Sequence, residues 1–139
     1  MVVKFEVDGK AYGLYFGIPS TRIFEEKCAA EYLRLQASGI AEPDKSDFDP
    51  YLTFAFLIHS GLCNMADINT DQKPDFIDSY TISQTISKDE SLSKKIHDVW
   101  HESQPVKDML ERLAQINKEQ KKSPRKAIGT KSKPTPSVS

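Results

Sequence analysis

The chain has 139 residues, of which 38% are hydrophobic and 28% charged, and its net charge is −1. That length supports one real core, and that composition excludes a wholly disordered chain and a disulfide scaffold. The near-neutral total hides a division: residues 1–116 carry 12 Lys/Arg against 19 Asp/Glu, and residues 117–139 carry 7 against 1, so an acidic body of net −7 precedes a basic tail of net +6.

Residues 3–7 alternate, with Val3, Phe5 and Val7 on one face and Lys4 and Glu6 on the other, which predicts a strand. Asp8-Gly9 predicts a type I′ hairpin turn, because both residue types tolerate positive φ. That turn fixes the register: Val7 opposes Lys10, Phe5 opposes Tyr12 and Val3 opposes Leu14. Phe5, Tyr12, Val3, Leu14 and Phe16 then share one apolar face, which needs a cover because two strands alone are marginal in water. Gly17 breaks the strand, and Pro19-Ser20-Thr21 predicts a helix entry with Glu25 and Glu26 in its first turn. Phe24, Cys28, Tyr32 and Leu35 form one stripe on that helix, and Ser38-Gly39 stops it.

Asp49-Pro50 is a cap residue followed by a first-turn proline, and Tyr51 to Ala66 is apolar nearly all round, which predicts a buried central helix. A third helix is expected from about Pro74 to Ile86, with Phe76, Ile77 and Tyr80 inward. Ser87-Lys88-Asp89-Glu90 reads as a capping box opening a helix with the stripe Leu92, Ile96, Val99, Trp100 and Ser103. Pro105 ends or kinks it. Val106, Met109, Leu110, Leu113 and Ile116 mark a last amphipathic helix, and the chain from Asn117 onward has the composition of a disordered tail. The fold class is therefore α+β, mostly α: an N-terminal β-hairpin, then a compact bundle of about four or five short helices over residues 1–116, then a disordered basic tail over 117–139.

The longest uncharged run, Pro50 to Ala66, is 17 residues and contains His59, Ser60, Gly61 and Asn64, so it suits a buried helix better than a membrane span. Lys4, Glu6 and Asp8 interrupt any signal-peptide core. Cys28 and Cys63 form no CxxC pair and read as small core hydrophobes in a reducing compartment, with a disulfide between them left open. His97 and His101 share a helix face opposite the apolar stripe, with no third ligand at a motif spacing, so that face reads as solvated rather than metal-binding. His59 reads as a hydrogen-bonded core histidine. Asp67, Asn69, Asp71 and Asp75 lack the glycine and closing glutamate of a calcium loop and read as a helix connection. No nucleophile elbow and no phosphate loop is present, so the expected work is binding, with no enzyme activity, cofactor or metal.

The stretch "KFEVDGKAYGLYFGIPSTRIFEE" resembles the opening of the tail assembly chaperones of long-tailed bacteriophages. Lys4, Phe5, Asp8, Gly9, Lys10, Tyr12, Leu14, Phe16, Gly17 and Arg22 stand where that family has its strand, D/N-G-K turn, Tyr-x-Leu-x-Phe-Gly strand and helix with an early arginine. The resemblance is sharp over residues 3–34. It implies a non-catalytic chaperone that binds and solubilises the tape measure protein, helps recruit tail tube protein, self-associates as a homo-oligomer, works in the host cytoplasm and is absent from the mature virion. In many phages of that kind a frameshift near the end of the gene makes a second, longer form, and the Lys121-Lys122 pair is compatible with an A-rich slippery run. Candidate partner-binding residues are Phe5, Tyr12, Leu14, Phe16, Val106, Met109, Leu110 and Leu113. The alternative is a nucleic-acid-associated regulatory protein that uses its basic tail, Lys121, Lys122, Arg125 and Lys126 included, as a salt-sensitive phosphate contact, although that tail has no aromatic residue to stack on bases.

Overall fold

Strands β1 (Val2–Val7) and β2 (Lys10–Tyr15) pair antiparallel in a computed structural model that describes residues 2–122. The turn behaves as Asp8-Gly9 requires: φ is +52° at Asp8 and +79° at Gly9, the positive pair of a type I′ turn. The register is Val7↔Lys10, Phe5↔Tyr12, Val3↔Leu14, and the Phe5 and Tyr12 rings stack with centroids 5.7 Å apart. Among the described residues five helices follow: α1 (Ile18–Ala37), α2 (Pro50–Asn69), α3 (Phe76–Ser87), α4 (Glu90–Glu102) and α5 (Gln104–Lys122), with one 3-10 turn at Lys45–Asp47. The architecture is α+β, mostly α, with the hairpin at the N-terminus. Two compact units are distinguished, one ending at Val106 and one beginning at Lys107.

Helix α2 is the centre of the first unit: it packs on α1, on α3 and on β2, and every residue from Phe54 to Asn64 is buried. Its start follows the sequence, since the Asp49 side chain accepts from the Tyr51 amide and Pro50 fills the first turn. Gly61 lets β2 approach, because a Cβ there would stand 2.7 Å from Phe16 Cε1 and 3.1 Å from Leu14 Cδ2. A glycine in a helix interior costs about 1 kcal/mol of propensity, and this close contact offsets it.

Helix α1 enters at Pro19-Ser20-Thr21, which fall within its first four residues. The N-cap is Gly17, which has no side chain to offer, and Asn64 of α2 supplies the acceptor: its Oδ1 receives the Gly17 amide at 2.9 Å and the Ser20 amide at 3.2 Å. One buried side chain thus caps one helix from another and fixes their mutual position. Because α1 begins at Ile18, Glu25 and Glu26 lie beyond its first turn. Its buried face is Ser20, Thr21, Phe24, Glu31 and Leu35, while Tyr32 is exposed. Glu31 is tolerated there because Arg34 grips both its oxygens, at 2.7 and 2.8 Å, and holds its carboxyl below the ordinary value.

Helix α3 buries Ser79, Ile82, Ser83 and Ile86 and leaves Ile77 exposed, which corrects the expectation that Ile77 points inward. The small serines let α3 lie close to α2, and Ser83 satisfies its hydroxyl on the Tyr80 carbonyl. The cap of α4 is Asp89, which accepts from the Leu92 amide, and not Ser87, which is still inside α3. Ile96 and Trp100 carry the buried face of α4, and the Trp100 ring tilts against Phe24 with centroids 5.3 Å apart. The Ser103 hydroxyl then donates to the Phe16 carbonyl at 2.5 Å, tying the end of α4 to the end of the hairpin.

Pro105 sits in the first turn of α5, where its missing N–H does no harm. The helix runs through Lys122, past Ile116, where the tail was expected to start, because lysine, glutamate and glutamine are strong helix formers. Arg125 and Lys126 lie outside the described residues, as do the side chains of Lys121 and Lys122.

Candidate functional site

A groove of about 840 Å³ opens in the first unit between the hairpin turn, the C-terminal half of α2 and one side of α3. Its buried members are Leu62, Ala66 and Ile82, joined by the half-buried Met65 and Tyr12. Its exposed margin carries Asp8, Asp71, Asp75 and Asp78 against Lys10 and Lys73. Both lysines are already engaged: Lys73 Nζ lies 3.3 Å from Asp67, and Lys10 Nζ sits over the Tyr12 ring at 5.5 Å. An apolar floor with an acidic margin suits the apolar face of an amphipathic segment, whose polar flank then meets the carboxylates.

Each part of the groove is placed by local chemistry. The type I′ turn swings Lys10–Gly13 back over α2. Gly13 has no side chain to fill the space, so Met65 Cγ lies 3.5 Å from where its Cβ would be. Thr70, at φ +55° and ψ +35°, ends α2 in the left-handed conformation, and the Asp71 amide then bonds the Ala66 carbonyl at 2.8 Å. That reversal directs the acidic connection, residues 71–75, along the groove's margin.

Beneath this surface, α2 and α3 are joined by a buried polar cluster. His59 Nδ1 and Ser79 Oγ are 2.7 Å apart, Cys63 Sγ is 3.5 Å from His59 Nε2, and Phe76 stands edge-on to the imidazole at 5.4 Å. Lys27 of α1 lies over the other ring of this group, 4.6 Å from the Phe76 centroid. Burial lowers the pKa of His59, the Lys27 charge lowers it further, and Asp75 opposes both. Burial also raises the Cys63 thiol, and it raises the Cys28 thiol to about 11 with help from Glu25 and Glu31. Both cysteines are free in this structure. A protonated thiol and a neutral imidazole are a hydrogen-bonded joint between helices rather than an activated nucleophile and base.

A pH dependence follows. An unfolded histidine titrates near 6.5, and folded His59 titrates lower. Between those values the unfolded state holds a proton that the folded state refuses, so stability is fully present above about 6.5 and is lost as pH falls toward the folded pKa. Glu31 titrates below its ordinary 4.5 and acts in a lower window. Urea unfolding from pH 7.5 to 5 is expected to show a falling midpoint, with His59→Gln flattening it. An equal slope in the variant would contradict this account.

The residues named as partner contacts divide. Phe5, Leu14 and Phe16 are core residues of the first unit, and Tyr12 alone of the four reaches the groove. Val106 and Met109 are buried, Leu110 is half-buried, and Leu113 is 37% exposed, so the α5 stripe opens to solvent along its length. Met65, Leu62, Ile82 and Asp78 were not singled out from sequence, while Asp8 was read as a turn residue and Asp71 and Asp75 as parts of a helix connection. An apolar-all-round helix does not say which side of it lines a groove. His97 and His101 are exposed on α4, where His97 stacks on Phe54 with centroids 5.0 Å apart and His101 meets Trp100 edge-on. Among the described residues no three metal-ligating side chains come together, and no helix is long and apolar enough to cross a membrane. No family model, no curated protein and no solved structure matches the chain.

Proposed function

We propose that this chain is a tail assembly chaperone of a long-tailed phage, which holds the tape measure protein, keeps it soluble and helps bring tail tube subunits to it in the host cytoplasm. The reading starts from the resemblance over residues 3–34. The observation that carries it to a surface is the groove: an apolar floor of Leu62, Met65, Ala66 and Ile82 beside the hairpin turn that bears the resemblance. A tape measure protein is long and helical, so it presents repeated apolar stripes that aggregate when uncovered. A holdase for such stripes needs apolar surface within an acidic, soluble frame, and binding rather than catalysis is its work.

Thr81 lines the groove from the exposed side of α3, so it can be enlarged without disturbing the core. The Thr81→Trp chain is expected to fold with unchanged circular dichroism and to retain less than about a tenth of the wild-type pull-down of co-expressed tape measure protein, the loss of about 1.4 kcal/mol of binding. Undiminished capture by Thr81→Trp would remove the groove from the reading.

A further inference from the structure

Among the described residues the sheet has two strands and therefore two edges, which differ in what covers them. Helix α2 lies along β2. It reaches Leu14 through Gly61 and Gly13 through Met65, and those two strand residues face opposite sides of the sheet, so α2 runs beside the outer margin of β2. Helix α3 approaches β1, but among the described residues no hydrogen bond reaches β1 from outside the β1–β2 ladder.

The register says which amides face outward there. The pair that closes a two-residue turn exchanges both hydrogen bonds, and bonded and non-bonded pairs then alternate along an antiparallel ladder. Val7↔Lys10 closes the turn, so Val7, Phe5 and Val3 point their N–H and C=O groups at β2. Val2, Lys4 and Glu6 point theirs outward. Their side chains are exposed as well, while Val3 and Phe5 are buried.

We infer that the outer edge of β1 pairs antiparallel with β1 of a second copy of this chain, about a two-fold axis at Phe5, giving a four-stranded sheet in the order β2-β1-β1-β2. The charge pattern selects this register. An axis at Phe5 makes Lys4 and Glu6 of opposite copies directly facing, hydrogen-bonded partners, twice per dimer, with Phe5 facing Phe5 on the covered side. Sliding the axis to Lys4 sets lysine against lysine, and sliding it to Glu6 sets glutamate against glutamate, both unfavourable on one face of a ladder. An edge guarded against pairing carries charge that repels its own kind. This edge carries one charge of each sign, at the spacing that a two-fold makes complementary. The inference stands on the hairpin and is independent of the groove and of the tape measure reading.

Sedimentation velocity of the full chain over a range of concentrations tests it, with Lys4→Glu, Glu6→Lys, the double variant, and an equimolar mixture of the two single variants. Both positions point to solvent, so the fold is expected to stay intact by circular dichroism and thermal midpoint. Wild type is expected to dimerise. Each single variant sets like charges together twice and raises the dissociation constant about tenfold or more. The double variant restores opposite signs and returns to the wild-type value. Mixing the two single variants, one all-acidic and one all-basic at this edge, is expected to give a heterodimer tighter than either alone. A wild type that stays monomeric at every concentration, or single variants that dimerise as wild type does, or a mixture no more associated than its components, would each overturn the inference.

Discussion

Asn64→Leu is expected to lower the unfolding free energy by about 2 kcal/mol, because the buried Gly17 amide loses its acceptor, at about 1–3 kcal/mol for such an orphan, and the Ser20 amide keeps only the Gly17 carbonyl at 3.2 Å. The two amides belong to Gly17 and Ser20, the first turn of α1, and the acceptor oxygen comes from α2. Leucine keeps the volume, so the loss is not a cavity effect. Asn64→Asp keeps an oxygen in place at the positive end of α1 and is expected to lose much less. Chemical denaturation of the three proteins measures this. Equal stability of Asn64→Leu and wild type would mean that water or a shifted backbone serves the two amides.

The second large effect is expected at Gly61. Its position for a Cβ lies 2.7 Å from Phe16 Cε1, 3.1 Å from Leu14 Cδ2 and 3.2 Å from Leu14 Cβ. Leu14 is fully buried and Phe16 is 3% exposed, so neither ring nor branch has room to withdraw. Gly61→Leu is therefore expected to separate β2 from α2, at a cost of about 3 kcal/mol or more from overpacking. Gly61→Ala tests the same contact with the opposite sign of propensity. Alanine gains about 1 kcal/mol in an unconstrained helix interior. Here the clash is expected to cancel that gain and leave the variant less stable than wild type. A Gly61→Ala protein that melts higher would show that the strand is free to slide on the helix.

Both sites show what the sequence could and could not disclose. Asp8-Gly9 dictates positive φ at two adjacent residues, and the hairpin register follows from that alone. Asp49-Pro50 announces the start of α2 in two residues, and His59 amid apolar neighbours announces a satisfied core histidine. These signals are local, and they survive folding unchanged. The cap of α1 is not local, because Gly17 carries no side chain and its acceptor stands 47 residues away. The face of α3 is hidden for a different reason. Serines occupy two of its four buried positions, so apolar periodicity pointed to Ile77, which is 77% exposed. The Ser87–Glu90 stretch was read as a capping box led by Ser87, and Asp89 took the role because α3 consumed Ser87. The groove was illegible because α2 is apolar on every side, and only packing decides that the side bearing Leu62, Met65 and Ala66 lines it.

The acidic margin residues Asp8, Asp71, Asp75 and Asp78 stand around a floor that is apolar. A bound helix with lysines or arginines flanking its apolar stripe gains from them, and that gain weakens as salt screens exposed charges. The floor contributes by apolar burial, which salt of that kind leaves in place. Binding is therefore expected to weaken with added sodium chloride without disappearing.

The most direct test is to express the tape measure protein with and without this chain and to measure how much stays soluble and what travels with it. The account expects the tape measure protein to be insoluble alone. With this chain it should become soluble, several copies should co-purify with each tape measure molecule, and Thr81→Trp should reverse the rescue. A tape measure protein that remains insoluble and unbound beside this chain in its folded form would contradict the account.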